Sequence, residues 1–179
     1  MKIVFITGGA KSGKSTFALK TADRYGGKRA YVATAQALDD EMAWRIEAHQ
    51  KERNGSWDTV EEPVNIHQSI TELVTTHEVI VVDCLTLWLT NMILTEPEPA
   101  KDKIYDAFLK LTDSLTTARQ TKSDGAIILV SNEVGLSIVP DNRLARLFRD
   151  YAGVLNQRVA AVSDEAYLVV SGLPLRLNS

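Results

Sequence analysis

Cysteine is almost absent from this sequence, and so is any excess of charge of one sign. The single cysteine, Cys84, cannot form a disulfide within the chain, which is typical of a protein from a reducing cytoplasm. The 20 Lys and Arg residues nearly balance the 23 Asp and Glu residues, leaving a net charge of −3. Because proteins that bind nucleic-acid backbones are usually strongly basic, this balance argues against such a partner. Any anionic ligand must therefore be bound by a local cluster of residues.

Long hydrophobic runs are also missing. The first apolar run, at residues 3–6, is too short for the apolar part of a signal peptide. The other runs fall far below the roughly 20 residues needed to span a bilayer. With 179 residues, of which 45% are hydrophobic, the chain can form a core without disulfides or a structural metal. We therefore expect one soluble domain over residues 1–179, with no membrane span.

Short runs rich in β-branched residues alternate with longer stretches of helical periodicity. Five runs stand out, at residues 2–6, 29–33, 79–82, 126–130 and 166–170. Continuous apolarity is typical of parallel strands that helices cover on both faces. The sequence therefore predicts an α/β fold, with a mostly parallel central sheet flanked by helices. Residues 57–60 predict a weaker strand, and residues 173–177 a terminal hairpin partner.

Two helices can be placed by their first residues. Asp39 or Asp40 can cap a helix that ends near Arg53, and Pro140-Asp141 can open one that ends near Val162. The second helix has an apolar stripe at spacings of three and four, formed by Leu144, Phe148, Tyr151, Leu155, Val159 and Val162. Such a stripe predicts packing, either against the core or against another subunit.

The most specific motif follows the first predicted strand and precedes a helix. It matches G-x-x-x-x-G-K-[ST] and consists of Gly8, Gly9, Ala10, Lys11, Ser12, Gly13, Lys14 and Ser15. The glycines allow backbone N–H groups to surround phosphate oxygens, and the helix dipole adds positive potential. We expect Lys14 to reach the β- and γ-phosphates of a nucleotide and the Ser15 hydroxyl to bind Mg²⁺.

Further polar residues follow the other predicted strands. Asp83 closes the strand at residues 79–82, where it could hold Mg²⁺ or cap a helix beginning at Cys84, and the phosphate loop favours the metal. Residues 34–36 and 131–133 also follow strands. Because ligands bind beyond the carboxyl ends of parallel strands, these segments and the loop predict one nucleotide-sized cleft.

The phosphate loop occurs in several classes of enzyme, so it names no reaction by itself. A signalling GTPase would have D-x-x-G at the acidic strand end, where residues 84–86 do not fit. Residues 121–124 spell the guanine-reading pattern T-K-x-D, but they precede a predicted strand, so we interpret the match as chance. A motor ATPase commonly has Glu where Cys84 stands. The sequence therefore favours a kinase or a nucleotidyl transferase.

One histidine lies between arginines on the helix predicted to end near Arg53. His49 shares a stripe with Ile46 and Arg53, and Arg45 lies one turn before it. Like charges favour neutral imidazole, the nucleophilic form, which could attack an α-phosphate and release pyrophosphate. From spacing alone, a solvated helix histidine is the favoured interpretation.

Several motifs together resemble a known family, the bifunctional adenosylcobinamide kinases/adenosylcobinamide-phosphate guanylyltransferases. Besides the phosphate loop, the similar segments are residues 31–36, 39–42, 45–49, 131–135, 138–150, 156–158 and 169–172, whereas residues 96–120 match poorly. The resemblance implies a P-loop NTPase of the RecA-like fold that takes part in cobalamin biosynthesis. It implies a cytoplasmic enzyme that phosphorylates a corrinoid, adenosylcobinamide, with ATP or GTP, and then transfers GMP from GTP to the product.

The resemblance also assigns roles to residues. It implies that His49 is the guanylylated nucleophile. The implied nucleotide contacts are Gly8 to Ser15, Thr34, Ala35, Gln36, Gln50, Lys51, Glu52, Arg53, Asp83 and one acid, Glu61 or its neighbour Glu62. The family is typically a homotrimer with sites near subunit boundaries.

Some alternatives stay open at this point. Asp83 and Glu133 are both candidates for the base that activates the corrinoid hydroxyl. A plain small-molecule kinase would consume only the γ-phosphate of the nucleotide and would not need His49. A non-catalytic nucleotide switch would bind nucleotide without turnover.

Overall fold

The computed structural model describes residues 1–36, 44, 56–94, 101–122 and 124–179. Apart from Trp44, the predicted helix from Asp39 or Asp40 to Arg53 therefore lies outside the described residues. So do the site residues predicted on it, namely Arg45, His49, Gln50, Lys51, Glu52 and Arg53. Within the described ranges the chain forms one seven-stranded sheet and five helices.

The strands agree closely with the hydrophobic runs in the sequence. They are β1 (Lys2–Gly8), β2 (Arg29–Ala33), β3 (Asp58–Glu61), β4 (Val79–Asp83), β5 (Ala126–Asn132), β6 (Glu165–Val170) and β7 (Leu173–Arg176). Both weaker strand predictions are confirmed, because β3 pairs with β2 and β7 forms a hairpin with β6. The order across the sheet is β3-β2-β4-β5-β1-β6-β7, and only β7 is antiparallel to its neighbour.

The helices divide unequally between the faces of this sheet. They are α1 (Lys14–Ala22), α2 (Ile66–Leu73), α3 (Leu85–Leu94), α4 (Lys101–Thr121) and α5 (Arg143–Ala161). In the part of the chain that is described, α1 packs on one face, and the other four helices pack on the opposite face. The predicted α/β fold with a mostly parallel sheet is confirmed.

Alternation along the strands explains why their sequences are apolar throughout. In β1, Ile3 and Phe5 join the core on the four-helix face, whereas Val4 and Ile6 join the core under α1. Strands buried on both faces need apolar residues at every position, which is the pattern that the sequence shows. The carboxyl ends of the parallel strands then share one edge of the sheet, where the predicted site lies.

Helix α5 differs from its prediction at its first turn. The helix begins at Arg143, and the Asn142 side chain, instead of Pro140-Asp141, caps it by accepting hydrogen bonds from the backbone N–H groups of Leu144 and Ala145. Tyr151, Leu155 and Val159 are buried in the core, so that part of the stripe faces the interior. Leu144 remains half-exposed.

Across the described residues, none of the helices is both long enough and apolar enough to cross a membrane.

Candidate nucleotide site

The phosphate-loop motif lies between β1 and α1, as the sequence predicts. Gly13 is the N-cap of α1 and has a φ of 94°, a left-handed conformation that glycine adopts without strain. A Cβ at Gly13 would lie 3.2 Å from the Cα of Gly172 in the β6–β7 turn. Both the backbone conformation and the close packing therefore favour glycine at this position.

The β6–β7 turn holds the loop from one side. The Gly172 N–H donates a hydrogen bond to the Ser12 carbonyl, with an N···O distance of 2.8 Å. At the start of the loop, a Cβ at Gly8 would come within 2.5 Å of the Val169 carbonyl oxygen. The two ends of the loop are thus fixed against the same hairpin, which favours a preformed phosphate site over a flexible turn.

Lys14 is half-buried beneath the loop. Its Nζ donates to the Gly9 carbonyl across 3.1 Å. Burial lowers the pKa of Lys14, and the nearby Asp83 carboxylate partly opposes this shift. A partly desolvated ammonium group attracts an anion more strongly than one in water. The position and environment of Lys14 therefore suit a phosphate ligand.

Asp83 is oriented by a tyrosine. The Tyr31 hydroxyl donates to Asp83 Oδ2 across 2.8 Å, and the Tyr31 ring packs edge-on against Trp57, with ring centroids 6.0 Å apart. The peptide bond between Asp83 and Cys84 is cis. Burial, with a smaller contribution from Asp83, raises the pKa of Cys84 to about 12, so the thiol stays protonated at neutral pH.

Ser15 and Asp83 offer the hydroxyl and carboxylate oxygens that Mg²⁺ prefers. The Tyr31 hydroxyl bonds to Oδ2 of Asp83, and no hydrogen bond to Oδ1 is found within the described ranges. Among the described residues there is no group of three or more His, Cys, Asp and Glu that could hold a metal ion. The donor set fits a metal that keeps several waters and binds substrate phosphates, as Mg²⁺ does.

Thr34 joins the carboxyl ends of β2 and β4. Its hydroxyl donates to the Cys84 carbonyl and accepts from the Cys84 N–H, both across 2.8 Å, and its own N–H donates to the Asp83 carbonyl. Asn91 Nδ2 in turn donates to the Thr34 carbonyl. Thr34 is fully buried, and its side chain fixes the strand ends. Ala35 is partly buried and Gln36 is exposed at the rim.

The end of β5 is fixed by a buried polar network. Ser131 Oγ donates to Asn156 Oδ1 across 2.7 Å, and the Asn132 N–H donates to Thr86 Oγ1 across 2.6 Å. Next along the chain, the Glu133 N–H donates to the Gly8 carbonyl across 3.0 Å. The predicted rim segment is thereby attached directly to the start of the phosphate loop.

Glu61 and Glu62, either of which could be the predicted nucleotide contact, have different surroundings in the structure. The Glu62 carboxylate accepts hydrogen bonds from the backbone N–H groups of Val64 and Asn65, at 2.9 and 2.7 Å, which is a structural role at the start of α2. Glu61 ends β3 with its side chain exposed, level with Ala33 of β2. Glu61 is therefore the better placed of the two to meet a ligand.

The predicted rim residues that the structure describes lie at one edge of the sheet. The residues that position them there were not predicted from the sequence. Tyr31, Thr86, Asn156 and Gly172 fix Asp83, the end of β5 and the phosphate loop. Only strand register and helix packing bring them there. Lys122 of the T-K-x-D match lies at the opposite edge, where its Nζ is 2.7 Å from Glu78 Oε1, as expected for a chance match.

The chain is similar to known proteins over nearly its whole length. Residues 4–177 match the family model described as cobinamide kinase/cobinamide phosphate guanyltransferase. The chain belongs to this family. The match includes the phosphate loop, Asp83 and the β5 rim, so the family assignment and the site geometry concern the same part of the molecule.

Curated relatives agree with the family model. The chain is 36% identical to the bifunctional adenosylcobalamin biosynthesis protein CobU of Escherichia coli, over 98% of this chain and 99% of that one. It is 40% identical to the bifunctional adenosylcobalamin biosynthesis protein CobP of Pseudomonas aeruginosa, over 97% of this chain and 95% of that one. These cobinamide kinase family members match the chain over nearly their full length.

Solved structures show the same fold at lower identity. The RadB recombinase has a TM-score of 0.54 at 16% identity, covering 93% of this chain and 73% of that one. The type III secretion ATPase EscN of enteropathogenic E. coli has a TM-score of 0.55 at 11% identity, covering 95% of this chain and 43% of that one. The fold is that of a P-loop NTPase, of the RecA-like type expected from the sequence.

Proposed function

We propose that this protein is a transferase that phosphorylates adenosylcobinamide and then transfers GMP from GTP to adenosylcobinamide phosphate. The observation that carries the proposal is the phosphate loop Gly8–Ser15, held at the carboxyl edge of the sheet in a chain that matches the cobinamide kinase/guanyltransferase family over residues 4–177. The loop supplies the nucleotide site, and the family supplies the corrinoid acceptor.

The triphosphate of the nucleotide binds in the phosphate loop, with Lys14 at the β- and γ-phosphates. The backbone N–H groups near Gly13 and the positive end of α1 add favourable potential there. Thr34 to Gln36 and Glu61 lie farther along the same edge, on the side of β2 and β3. Gln50, Lys51, Glu52 and Arg53, which lie outside the described residues, complete the proposed nucleotide contacts.

Ser15 and Asp83 are the proposed Mg²⁺ ligands, and Mg²⁺ would neutralise charge on the β- and γ-phosphates. The Tyr31 hydrogen bond orients the Asp83 carboxylate. In both half-reactions, these residues act by positioning and by stabilising charge.

The transferase half-reaction uses His49 as a nucleophile. Its neutral imidazole nitrogen forms a bond to the α-phosphorus of GTP, and the bond from that phosphorus to the α–β bridging oxygen breaks to release pyrophosphate. An oxygen of adenosylcobinamide phosphate then attacks the same phosphorus and breaks its bond to nitrogen. The products are adenosylcobinamide-GDP and free His49.

The kinase half-reaction takes place at the other end of the triphosphate. The aminopropanol hydroxyl of adenosylcobinamide attacks the γ-phosphorus of ATP or GTP and loses its proton to a base. The bond from that phosphorus to the β–γ bridging oxygen breaks, and the nucleoside diphosphate leaves. Of the two candidate bases, the Glu133 carboxylate accepts a hydrogen bond from the Gly135 N–H, and Asp83 Oδ2 accepts one from Tyr31. Asp83 is also a proposed metal ligand, so we assign the base to Glu133.

Labelled GTP tests the proposal. The protein is incubated with α-³²P-GTP and Mg²⁺, denatured, and examined for label that survives alkali but is lost in acid, the stability expected of a bond between phosphorus and histidine. We expect label on the wild type and none on His49→Ala. In parallel, γ-³²P-GTP and adenosylcobinamide should give labelled corrinoid phosphate with both proteins.

His67→Ala is the matched control, because His67 is a half-exposed histidine of α2. It should keep the protein-bound label. A γ-transfer reaction without any protein-bound α-label would favour a plain kinase. Nucleotide binding with neither reaction would favour a non-catalytic switch.

We further propose that residues 1–179 form a single catalytic domain, and that the protein acts in the cytoplasm as a homotrimer. Exposed apolar side chains support self-association: Leu136, Ile138 and Val139 follow the β5 rim, and Leu94 and Leu144 border a cavity of about 300 Å³ between α3 and α5. Light scattering on the purified protein tests this assembly, and a monomer at micromolar concentration would refute it.

A further inference from the structure

The end of β5 carries a carboxamide that the nucleotide site described above does not use. Asn132 is half-buried, and its side chain has no hydrogen bond to any part of the chain that the structure describes. Two buried carboxamides, by contrast, bond within the chain: Asn91 Nδ2 donates to two carbonyls, at 2.8 and 3.0 Å, and Asn156 bonds through both its oxygen and its nitrogen. The Asn132 amide is therefore left to water or to a ligand, and its hydrogen-bonding groups are available at this edge.

Side-chain hydrogen bonds fix both backbone polar groups of Asn132. Its N–H donates to Thr86 Oγ1 across 2.6 Å, and its carbonyl accepts from Asn156 Nδ2 across 3.2 Å. The next N–H, of Glu133, donates to the Gly8 carbonyl. Asn132 is therefore fixed relative to the first residue of the phosphate loop, as a group that must meet a ligand accurately would be.

The strand pattern places the side chain of Asn132 on the nucleotide face. Side chains alternate along a strand, and in β5 Ile128 and Val130 pack in the same core as Ala18 of α1. Asn132 comes two residues after Val130 and so lies on the face that carries α1. That helix begins with Lys14 and Ser15, the residues proposed to bind phosphate and metal.

The sheet order puts Asn132 between the two charged parts of the site. Strand β5 lies between β1, which leads into the phosphate loop, and β4, which ends at Asp83. Gly8 is level with Asn132, and Asp83 is level with Val130. A triphosphate that extends from Lys14 toward a metal at Asp83 crosses the end of β5. Its terminal phosphate then lies close to Asn132.

We propose that the Asn132 carboxamide donates a hydrogen bond to the γ-phosphate of the bound nucleotide. The inference rests on the proposed function, because it takes the triphosphate to bind in the phosphate loop. A neutral NH₂ group suits this position, since Lys14 already supplies the positive charge. A second cationic side chain would compete with the metal for the phosphate oxygens. Asn132 thereby distinguishes a nucleoside triphosphate from a diphosphate.

A matched pair of ligands tests this contact. The affinities of α,β-methylene-GTP and α,β-methylene-GDP are measured by calorimetry with Mg²⁺, since neither analogue can guanylylate His49. We expect Asn132→Ala to weaken binding of the triphosphate analogue about 10- to 100-fold and to leave binding of the diphosphate analogue within about twofold. Asn132→Asp keeps the shape and adds a negative charge, so its loss for the triphosphate should exceed that of Asn132→Ala and should exceed its own loss for the diphosphate.

Gln120→Ala is the control, because Gln120 is an exposed amide side chain near the end of α4. It should bind both analogues as the wild type does. If both affinities fall together in the Asn132 variants, the residue has only a structural role and the inference is wrong. Unchanged affinities would also overturn it. If the wild type itself binds neither analogue, the proposed nucleotide site fails, and the inference fails with it.

Discussion

The two edges of the central sheet carry polar and charged side chains that are used in different ways. At the amino edge, opposite charges bond to each other: Glu78 lies 2.7 Å from Lys122, and Asp58 lies 2.7 Å from Lys28 and 3.0 Å from His77. At the carboxyl edge, Lys14 bonds to a carbonyl and Asp83 to a phenol. Charges held by neutral partners remain available to a ligand, whereas paired charges are already satisfied.

Cavity volume alone would point to the other edge. A cavity of about 670 Å³ lies at the amino ends of the strands, lined by residues that include Lys2, Glu78, Arg119 and Asp164. Lys2 is 2.6 Å from Glu165, and Arg119 is 3.1 Å from Asp164, so much of its charge is compensated within the chain. The state of the charges, and not the size of the opening, favours the carboxyl edge for the proposed nucleotide site.

Removing Lys14, which has no ion pair with any described residue, should have the largest effect. We expect Lys14→Ala to lower kcat/KM about 10²- to 10³-fold in both half-reactions, because charge on the β- and γ-phosphates loses its main protein partner. The midpoint of thermal unfolding should change little, since Lys14 bonds only to a loop carbonyl. Steady-state kinetics and a melting curve check the two parts.

Lys20→Ala is the matched control on the same helix, because Lys20 is exposed in the last turn of α1. It should retain full activity. Wild-type activity in Lys14→Ala would contradict the assignment of the phosphate site.

At the amino edge the largest effect should be on stability. Gly125 has a φ of 95°, and a Cβ there would come within 1.9 Å of the Glu78 carbonyl oxygen. We expect Gly125→Ala to lower the free energy of unfolding by about 2–4 kcal/mol, because the backbone of β4 or β5 must move. Denaturant unfolding measures the change, and the KM for GTP should be unaltered in the protein that remains folded.

Gly153→Ala serves as the control for this glycine. It lies inside α5, where an added Cβ has no neighbour within 4 Å, so it should stabilise the protein by about 0.5–1 kcal/mol. If Gly125→Ala were as stable as the wild type, the tight packing of the amino edge would be refuted.

A smaller change at the carboxyl edge tests whether Asp83 needs its neutral partner. Tyr31→Phe removes the hydroxyl that bonds to Asp83 but keeps the ring against Trp57. We expect Mg²⁺ affinity, measured by titration in the presence of α,β-methylene-GTP, to fall about tenfold, because the carboxylate is no longer oriented. Activity should be partly recovered at high Mg²⁺.

Tyr167→Phe removes a comparable hydrogen bond, from a tyrosine hydroxyl to Glu165 across 2.8 Å, at a distance from the proposed metal ligands. Mg²⁺ affinity should not change in this variant. Equal losses in both tyrosine variants would indicate a general effect on stability and would argue against orientation of Asp83.

Much of the fold could be predicted because its signals are local. Continuous apolar runs set the strands, and the spacing of the glycines, Lys14 and Ser15 sets the phosphate loop. The roles of Tyr31 and Asn156 could not be predicted, because they depend on register between β2 and β4 and on the packing of α5 against β5. The cap of α5 differed from its prediction by a single position, since Asp141 and Asn142 are both good caps and local sequence does not choose between them.

The smallest expected effect is at an exposed pair on the amino edge. Hydrogen bonds from Lys28 and His77 hold the pKa of Asp58 below its ordinary value of 3.8. A lowered carboxyl pKa adds stability above the ordinary value, and this stability is lost as the pH falls through the lowered value. Asp58→Asn should therefore melt slightly below the wild type at neutral pH, and the difference should disappear in acid.

Melting curves from pH 2 to pH 7 check this dependence, with Asp113→Asn, an exposed carboxylate on α4, as the control that removes one negative charge elsewhere. Guanylyl transfer at neutral pH should be equal in all three proteins, because Asp58 begins β3 at the edge away from the phosphate loop. A loss of transfer in Asp58→Asn would mean that the paired charges of the amino edge also act on the nucleotide, and the contrast between the two edges would fail.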